Sequence, residues 1–448
     1  MEKKAPFSNL EKGLRQGDPL SPLLFNLVGD GLSRMIDRAV DRGLVKRLLG
    51  DFRRGGIVSL QYADDTILFS KAEESALENL KCILMWYEQL AGMKVNFHKS
   101  ELVPMNQDLD DAQRFAQIFS CPVGSFHLKY LGVPLHFGNL SRDDIQPLVD
   151  KILKRIAGWR GKLLSLAART MLIHTCLASI PVYLLSFIKF PKWAVKLLNT
   201  HMANCLWNDS VDNHKYHLAN WEKVSMCKEF GGLGIPNLRD LNICLLGSWL
   251  KRYNSDKEKL WKELIDFKYN TQKPNIFQSR SSGASNFFKG FMWAAQAAKM
   301  GYRWKVGNGR KLRLWEDSWL GSSSLAIQFW PLYRNFNEKN KSIAELWDGQ
   351  DLKRTFRRNV REDLYQVWLE VVALVSTINL TDEEDEMVWL YNSSGVYSSQ
   401  SLYKIINFRG IKTVHVSALW HIKIPPRVHF FLWQLINNKV LTRDNLAK

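Results

Sequence analysis

At 448 residues and 46% hydrophobic composition, the chain is long enough for roughly two to four domains. Lys and Arg number 62 against 44 Asp and Glu, a formal charge of +18 with a pI near 9.5. That surplus points to a polyanionic partner, nucleic acid first and an acidic membrane surface second. Six cysteines, at positions 82, 121, 176, 205, 227 and 244, form no CxxC pair; they read as free thiols of a reducing compartment and exclude a disulfide framework.

The amino terminus, "MEKKAPFSN", is charged and then polar, without the apolar core of a secretory signal. In "GDPLSPLLFNLVGDGLSRMI", Asp18 is placed to cap a helix with Pro19 at its first position. Leu20, Leu23, Leu24, Leu27, Val28, Leu32 and Met35 follow helical spacing, which predicts one buried face. Next comes "QYADDTILFS", Gln61 to Ser70. Ile57, Val58, Leu60 and Tyr62 precede two adjacent aspartates and Thr66 to Phe69 follow them, a strand, tight turn and strand. Asp64 and Asp65 therefore sit at a hairpin tip. On its own such a pair is ordinary turn chemistry, since aspartate tolerates turn dihedrals and bonds its own backbone.

An amphipathic helix follows, about Glu73 to Ala91, with Gly92 as C-cap. Strand-like pieces are expected at Lys94–Phe97 and Tyr130–Leu135. From Asp143 the pattern is helical: Ile145, Leu148, Val149, Ile152, Leu153 and Ile156 form an apolar stripe, and Lys151, Lys154, Arg155 and Lys162 share another face. Such a helix can pack on a core while following a phosphate backbone, or simply present a solvated charged face. Thr170–Ile188 carries no charged side chain and has membrane-spanning length, but His174, Ser179, Pro181 and Ser186 interrupt it, and "SIPVY" reads as a break between two buried helices.

Fourteen of the seventeen tryptophans lie beyond residue 200, and the simplest role for them is core. "WKVGNGRKLRLWEDSWLG" suggests a small hairpin turning at Asn308–Gly309 and packed by Trp304, Trp315 and Trp319. The acidic run Asp382–Glu386 reads as a solvated linker into a last unit, which comprises the hairpin "MVWLYNSSGVYS", a short helix and a helix near Val428–Val440. His201, Cys205, His214 and His217 are only loosely spaced like zinc ligands and lack a CxxC. "GGLG", Gly231–Gly234, lacks the spacing of a phosphate cradle.

Four motifs in order, "GLRQGDPLSPLLF", "QYADDTILFS", "GMKVNFHKSEL" and "KYLGVPL", resemble the palm of reverse transcriptases, specifically the LINE-type non-LTR retrotransposon polymerases of plants. Downstream, "WEKVSMCKEFGGLGIPNLRDLNICLLGSWL" and "IPPRVHFFLWQL" look like the connector and the start of the zinc-binding domain of such polymerases. The resemblance implies an α+β fold with a partial palm at 1–140, a helical thumb-like region at 141–220, a Trp-rich connector at 221–380 and the start of the zinc-binding domain at 381–448. It implies RNA-directed DNA polymerisation by two Mg²⁺ ions, with Mn²⁺ as a substitute. Carboxylates suit such hard cations.

By the same resemblance Asp64 is the direct metal ligand and Asp65 its support, and Lys99 offsets charge on the triphosphate leaving group. Arg15, Gln16 and Gly17 lie beside template and incoming nucleotide. Tyr62 falls in the same nucleic-acid set, and Tyr130 and Gly132 belong to a primer-grip hairpin. Lys151, Lys154, Arg155 and Lys162 would follow the backbone of an RNA or DNA template-primer, with deoxynucleoside triphosphates as substrates, no membrane partner, and a nuclear or cytoplasmic setting. The family's first metal-binding aspartate lies on a separate strand upstream of "GLRQGDPLSP", and "MEKKAPFSNLEK" offers no substitute. An inactive remnant without the fingers is therefore expected. No zinc is expected either, because the family's Cys and His ligands would follow "LTRDNLAK". The competing reading is a non-catalytic, basic nucleic-acid-binding protein.

Overall fold

The leucine-rich stretch after Asp18 forms α1, Ser21–Asp41. The helix begins later than the capping pattern suggests. The Asp18 carboxylate accepts from the Leu20 amide at 2.9 Å, which holds Pro19 in the lead-in turn, and Pro22 takes the early helical position instead. The expected apolar face is also split. Leu32, Ile36 and Ala39 are buried, but Leu23 is 65% and Leu27 71% exposed, because the neighbouring helix covers only the second half of α1.

The computed structural model describes residues 17–49, 52, 56–158, 164–208, 217–256, 259–270, 275–279, 281–321, 323–353, 355–356, 361–408, 410, 418–440 and 442–443. It is α+β, with short antiparallel strand pairs among many helices. Two compact units, Met1–His136 and Phe137–Lys448, divide the chain.

In the first unit, β1 (Ser59–Tyr62) and β2 (Asp65–Leu68) form a hairpin. It is followed by α2 (Glu74–Ala91), which ends at Gly92 in the left-handed conformation, and by α3 (Leu109–Phe119). Leu32 and Ile36 of α1, Val58, and Leu77, Leu80 and Leu84 of α2 share one core with Phe115 of α3. No strand forms at Lys94–Phe97. The Val95 amide donates to the Glu88 carboxylate at 2.6 Å, and the Lys99 amide donates to the Asn96 carbonyl at 3.0 Å, so a turn consumes the groups a strand would need. The expected strand Tyr130–Leu135 is a hairpin, β3 (Leu128–Tyr130) and β4 (Val133–Leu135), turning at Leu131–Gly132.

The second unit opens with α4, Arg142–Ala157, entered through a capping box between Ser141 and Asp144. Ile145, Leu148, Val149 and Ile152 are buried, as the apolar stripe requires, but Leu153, also expected in it, is exposed and Ile156 only half-buried. Residues 170–188 comprise the end of α5 (Leu166–Leu172), a π-helical turn (Ile173–Leu177), a break, and α6 (Val182–Leu185). No described helix is both long and apolar enough to cross a membrane. Then come α7 (Lys192–Trp207), α8 (Trp221–Ser225), α9 (Leu238–Ser255), α10 (Leu260–Ile265) and α11 (Asn286–Ala298). Trp304, Trp315, Trp319, Trp347, Trp368 and Trp389 are buried in one large cluster, so these tryptophans are core. The carboxyl-terminal helices are Ser399–Ile406 and Pro426–Ile436. Tyr397, just before the first of them, donates to the Cys244 carbonyl of α9 at 2.7 Å.

Two expectations fail together here. β5 (Tyr302–Lys305) pairs with β6 (Glu386–Trp389), not across Asn308–Gly309, and β6 is thereby taken from the expected "MVWLYNSSGVYS" hairpin. That second hairpin survives only as a turn in which the Trp389 amide donates to the Gly395 carbonyl at 2.8 Å. The cause is Asp385, which is buried at 6% exposure and does not belong to a solvated linker. Its carboxylate accepts from the amides of Gly307, Gly309 and Lys311, each at 2.8 Å. Three charge-assisted bonds fold the glycine loop around one side chain.

Asp385→Ala should leave those three amides without their acceptor, and unfulfilled buried donors cost about 1–3 kcal/mol each. We expect a loss of about 3 kcal/mol or more in urea unfolding followed by tryptophan fluorescence, with Asp385→Asn intermediate; an unchanged midpoint would refute the clamp.

Candidate functional site

The register Ser59↔Leu68, Leu60↔Ile67, Gln61↔Thr66, Tyr62↔Asp65 leaves Ala63 and Asp64 as a two-residue loop. Ala63 has φ 52°. Positive φ at the first loop position alone is the pattern of a type II′ turn, where glycine is usual. A non-glycine residue there stores strain of order 1 kcal/mol. The strain is spent on geometry: Asp64 occupies the apex, and Asp65 begins β2 directly across from Tyr62. Both aspartates are exposed, and Tyr62 is 63% exposed. Neither carboxylate has a hydrogen bond or ion pair among the described residues, although the chain carries a large cationic surplus. Two free hard oxygen donors on adjacent residues fit a magnesium-type cation. Among the described residues no third acidic, His or Cys donor joins them.

The β3–β4 hairpin lies in the same unit. Leu131 has φ 49° and Gly132 φ 81°, two consecutive left-handed residues as a type I′ turn demands. Only Gly132 adopts that conformation freely. Burial pushes the Tyr130 phenol above its ordinary pKa, and the Asp65 charge pushes it further in the same direction. Tyr130 is thus within electrostatic reach of the aspartate tip, a juxtaposition that no sequence spacing signals. The glycine at 132, in "KYLGVPL", was the available hint of the turn itself.

The remaining candidates are dispersed or undescribed. Lys99 is exposed in its turn, with no ion pair to either aspartate. Gly17 is exposed with φ 88°. Lys151, Lys154 and Arg155 stand exposed on α4 and form no ion pair among the described residues. Arg15, Gln16 and Lys162 lie outside the described residues. Of the spaced His and Cys residues, burial pushes the Cys205 thiol up to about 11, with Arg169 acting in the opposite direction, and His214 lies outside the described residues.

Gly132→Ala should strain the β3–β4 turn by about 1–2 kcal/mol. Amide protection across Leu128–Leu135 should then fall roughly 5–30-fold in hydrogen exchange, whereas Leu131→Asn should raise it. Equal protection in all three proteins would contradict the type I′ assignment.

Comparison with known proteins bears on the same residues. Residues 2–135 match the reverse transcriptase (RNA-dependent DNA polymerase) family, and residues 397–448 match the family described as zinc-binding in reverse transcriptase. A putative ribonuclease H protein of Arabidopsis thaliana is 25% identical over 333 residues, covering 70% of this chain and 51% of the relative. The retrovirus-related Pol polyprotein from type-2 retrotransposable element R2DM of Drosophila melanogaster is 24% identical over 250 residues, covering 51% of this chain and 21% of the relative. The chain thus spans about half the length of the first curated relative and a fifth of the second.

The second family match corrects the expectation of no zinc, because residues 397–448 fall within a zinc-binding family. Within that segment the soft or borderline donors are His415, His421 and His429, with no cysteine, and the His429 ring already meets the Ile422 carbonyl at 3.0 Å. These donors alone do not make up a four-ligand zinc site. Over residues 2–135 the chain is thus similar to reverse transcriptases, and over residues 397–448 to the zinc-binding module described with them.

Proposed function

We propose that the first unit is the carboxyl half of a polymerase palm, with Asp64 the principal ligand for Mg²⁺ and Asp65 its support. The observation that carries this is the bare acidic pair: two adjacent, uncompensated carboxylates held on a strained turn in a chain of charge +18. Magnesium, or manganese in its place, would supply activation of a primer hydroxyl and neutralisation of the leaving pyrophosphate. The chain's own groups have simpler duties. The β1–β2 hairpin presents the carboxylates, Tyr130 lies within electrostatic reach of Asp65, and Lys99 offers a cation for the triphosphate.

Two-metal transfer takes acidic ligands from more than one palm segment, and misplacement by about 1 Å costs on the order of a hundredfold in rate. Since no third donor joins the tip among the described residues, the isolated 448-residue polypeptide is proposed to hold the cation without efficient primer extension. A second reading, a non-catalytic nucleic-acid grip, is favoured by the unpaired cations Lys151, Lys154 and Arg155 on α4.

Calorimetry should register Mg²⁺ binding that Asp64→Asn weakens at least about tenfold, with extension of a primed RNA template at background in both proteins. Extension abolished by Asp64→Asn would overturn the inactivity, and Mg²⁺ binding indifferent to Asp64→Asn would overturn the metal site. Nucleic-acid affinity that falls steeply with salt yet ignores both Mg²⁺ and Asp64→Asn would favour the second reading.

A further inference from the structure

The second unit contains a cleft of about 690 Å³ between the start of α7, α8 and α11. Its size suits a nucleotide-sized ligand. Four cations line it, Lys189, Lys192, Lys196 and Arg239, against one carboxylate, Glu222. None of the four forms an ion pair among the described residues, so their charge is free for an anion. Trp221 and Trp293, both half-buried, form aromatic walls, and Lys189 Nζ stands 4.7 Å from the Trp293 ring centroid.

The frame is rigid on the Lys189 side, where the Phe190 amide donates to the buried Asn242 side chain at 2.9 Å.

We propose that this cleft binds an unpaired nucleotide of a single-stranded nucleic acid, with flanking phosphates on Lys189, Lys192, Lys196 and Arg239 and a base against tryptophan. Cations at the mouth with aromatic faces inside are the combination that single strands use. A duplex cannot offer an unstacked base. Two half-buried tryptophans beside four cations favour a nucleotide over an acidic peptide side chain, which carries negative charge but no ring to stack. The inference rests on the nucleic-acid reading of the chain but not on Asp64 or Asp65.

The test uses the full chain with labelled oligouridylate, oligothymidylate and a blunt duplex in anisotropy titrations across salt, together with photo-crosslinking of a 5-bromouridine RNA. Lys192 and Lys196 are exposed on α7, so the double variant Lys192→Ala/Lys196→Ala should keep the wild-type melting temperature. It should lower single-strand affinity about tenfold and reduce the log–log salt slope by about 1.4, two phosphates at 0.7 each, with a smaller effect on the duplex. Trp221→Ala should weaken single-strand binding roughly 5-fold or more, and crosslinks should map to peptides containing Trp221 or Trp293.

An unchanged salt slope with crosslinks elsewhere would overturn the site while leaving Asp64-dependent Mg²⁺ binding, and with it the palm reading, intact. Displacement of the RNA from these peptides by polyglutamate of equal charge would assign the cleft to acidic peptides and also overturn it. If the unaltered chain bound neither single strands nor duplex at low salt, the nucleic-acid reading would fall together with the site.

Discussion

Every buried backbone amide and carbonyl must find a partner, and a chain with so few strands has to supply many of those partners from side chains. The second unit does so at a handful of buried polar residues. Asn242 donates to the carbonyls of Leu185 and Ile188 and accepts from Phe190, tying the break after α6 to α9. Arg169 donates to the carbonyls of Leu164 and Asn208. Asp317 accepts from the Arg313 amide and pairs with Lys299 at 3.0 Å, and Asp385 gathers the glycine loop. Asn242, Arg169 and Asp385 join segments far apart in sequence, as strand ladders do in other folds, while Asp317 closes a more local loop. The Trp-rich core supplies the burial, and the polar clamps decide which loops it can close over.

Where that rule is relaxed, the chain becomes open to ligands. Asp64 and Asp65 have no partner among the described residues, and Lys189, Lys192, Lys196 and Arg239 around the cleft form no ion pair among them either. The two places differ in kind. At the hairpin tip the unpaired groups are solvated, so their exposure costs little and their charge remains free for a cation. In the cleft the unpaired groups are cations beside half-buried tryptophan rings, so charge and an aromatic face are offered together. A hard ion suits the first and, on the proposed reading, a nucleotide the second.

The sequence made local structure legible where one interaction dominated. The β-prone runs on either side of Asp64 and Asp65 produced the β1–β2 hairpin, and the stripe from Ile145 to Ile152 produced α4. The end of α2 at Gly92 needed only the conformational freedom of glycine. Misreadings arose where a distant side chain decided. Asn308–Gly309 carries a strong hairpin signal, yet Asp385, more than seventy residues later, claims the amides on either side and turns β5 toward β6. The apparent solvated acid run hid that same buried residue. In α1 the helical period was right, but exposure depends on which neighbours arrive, and periodicity cannot report that. The approach of Tyr130 to Asp65 is likewise a tertiary fact, although the motif order had already joined the two hairpins by resemblance.

A strongly cationic chain raises the local concentration of any polyanion at its surface. Two bare carboxylates at the β1–β2 tip work against that attraction locally, because a phosphate approaching Asp64 meets like charge. On the proposed reading, a divalent cation cancels the two negative charges at the tip and presents its own open coordination positions to a phosphate. Cation and strand should then favour one another reciprocally, each binding better in the other's presence. The exposed cations of α4 and of the cleft need no such mediator: their attraction for phosphate is present from the start and is weakened only by salt. On that reading the cations of α4 and of the cleft attract a strand whether or not metal is present, and only binding at Asp64 and Asp65 depends on the metal.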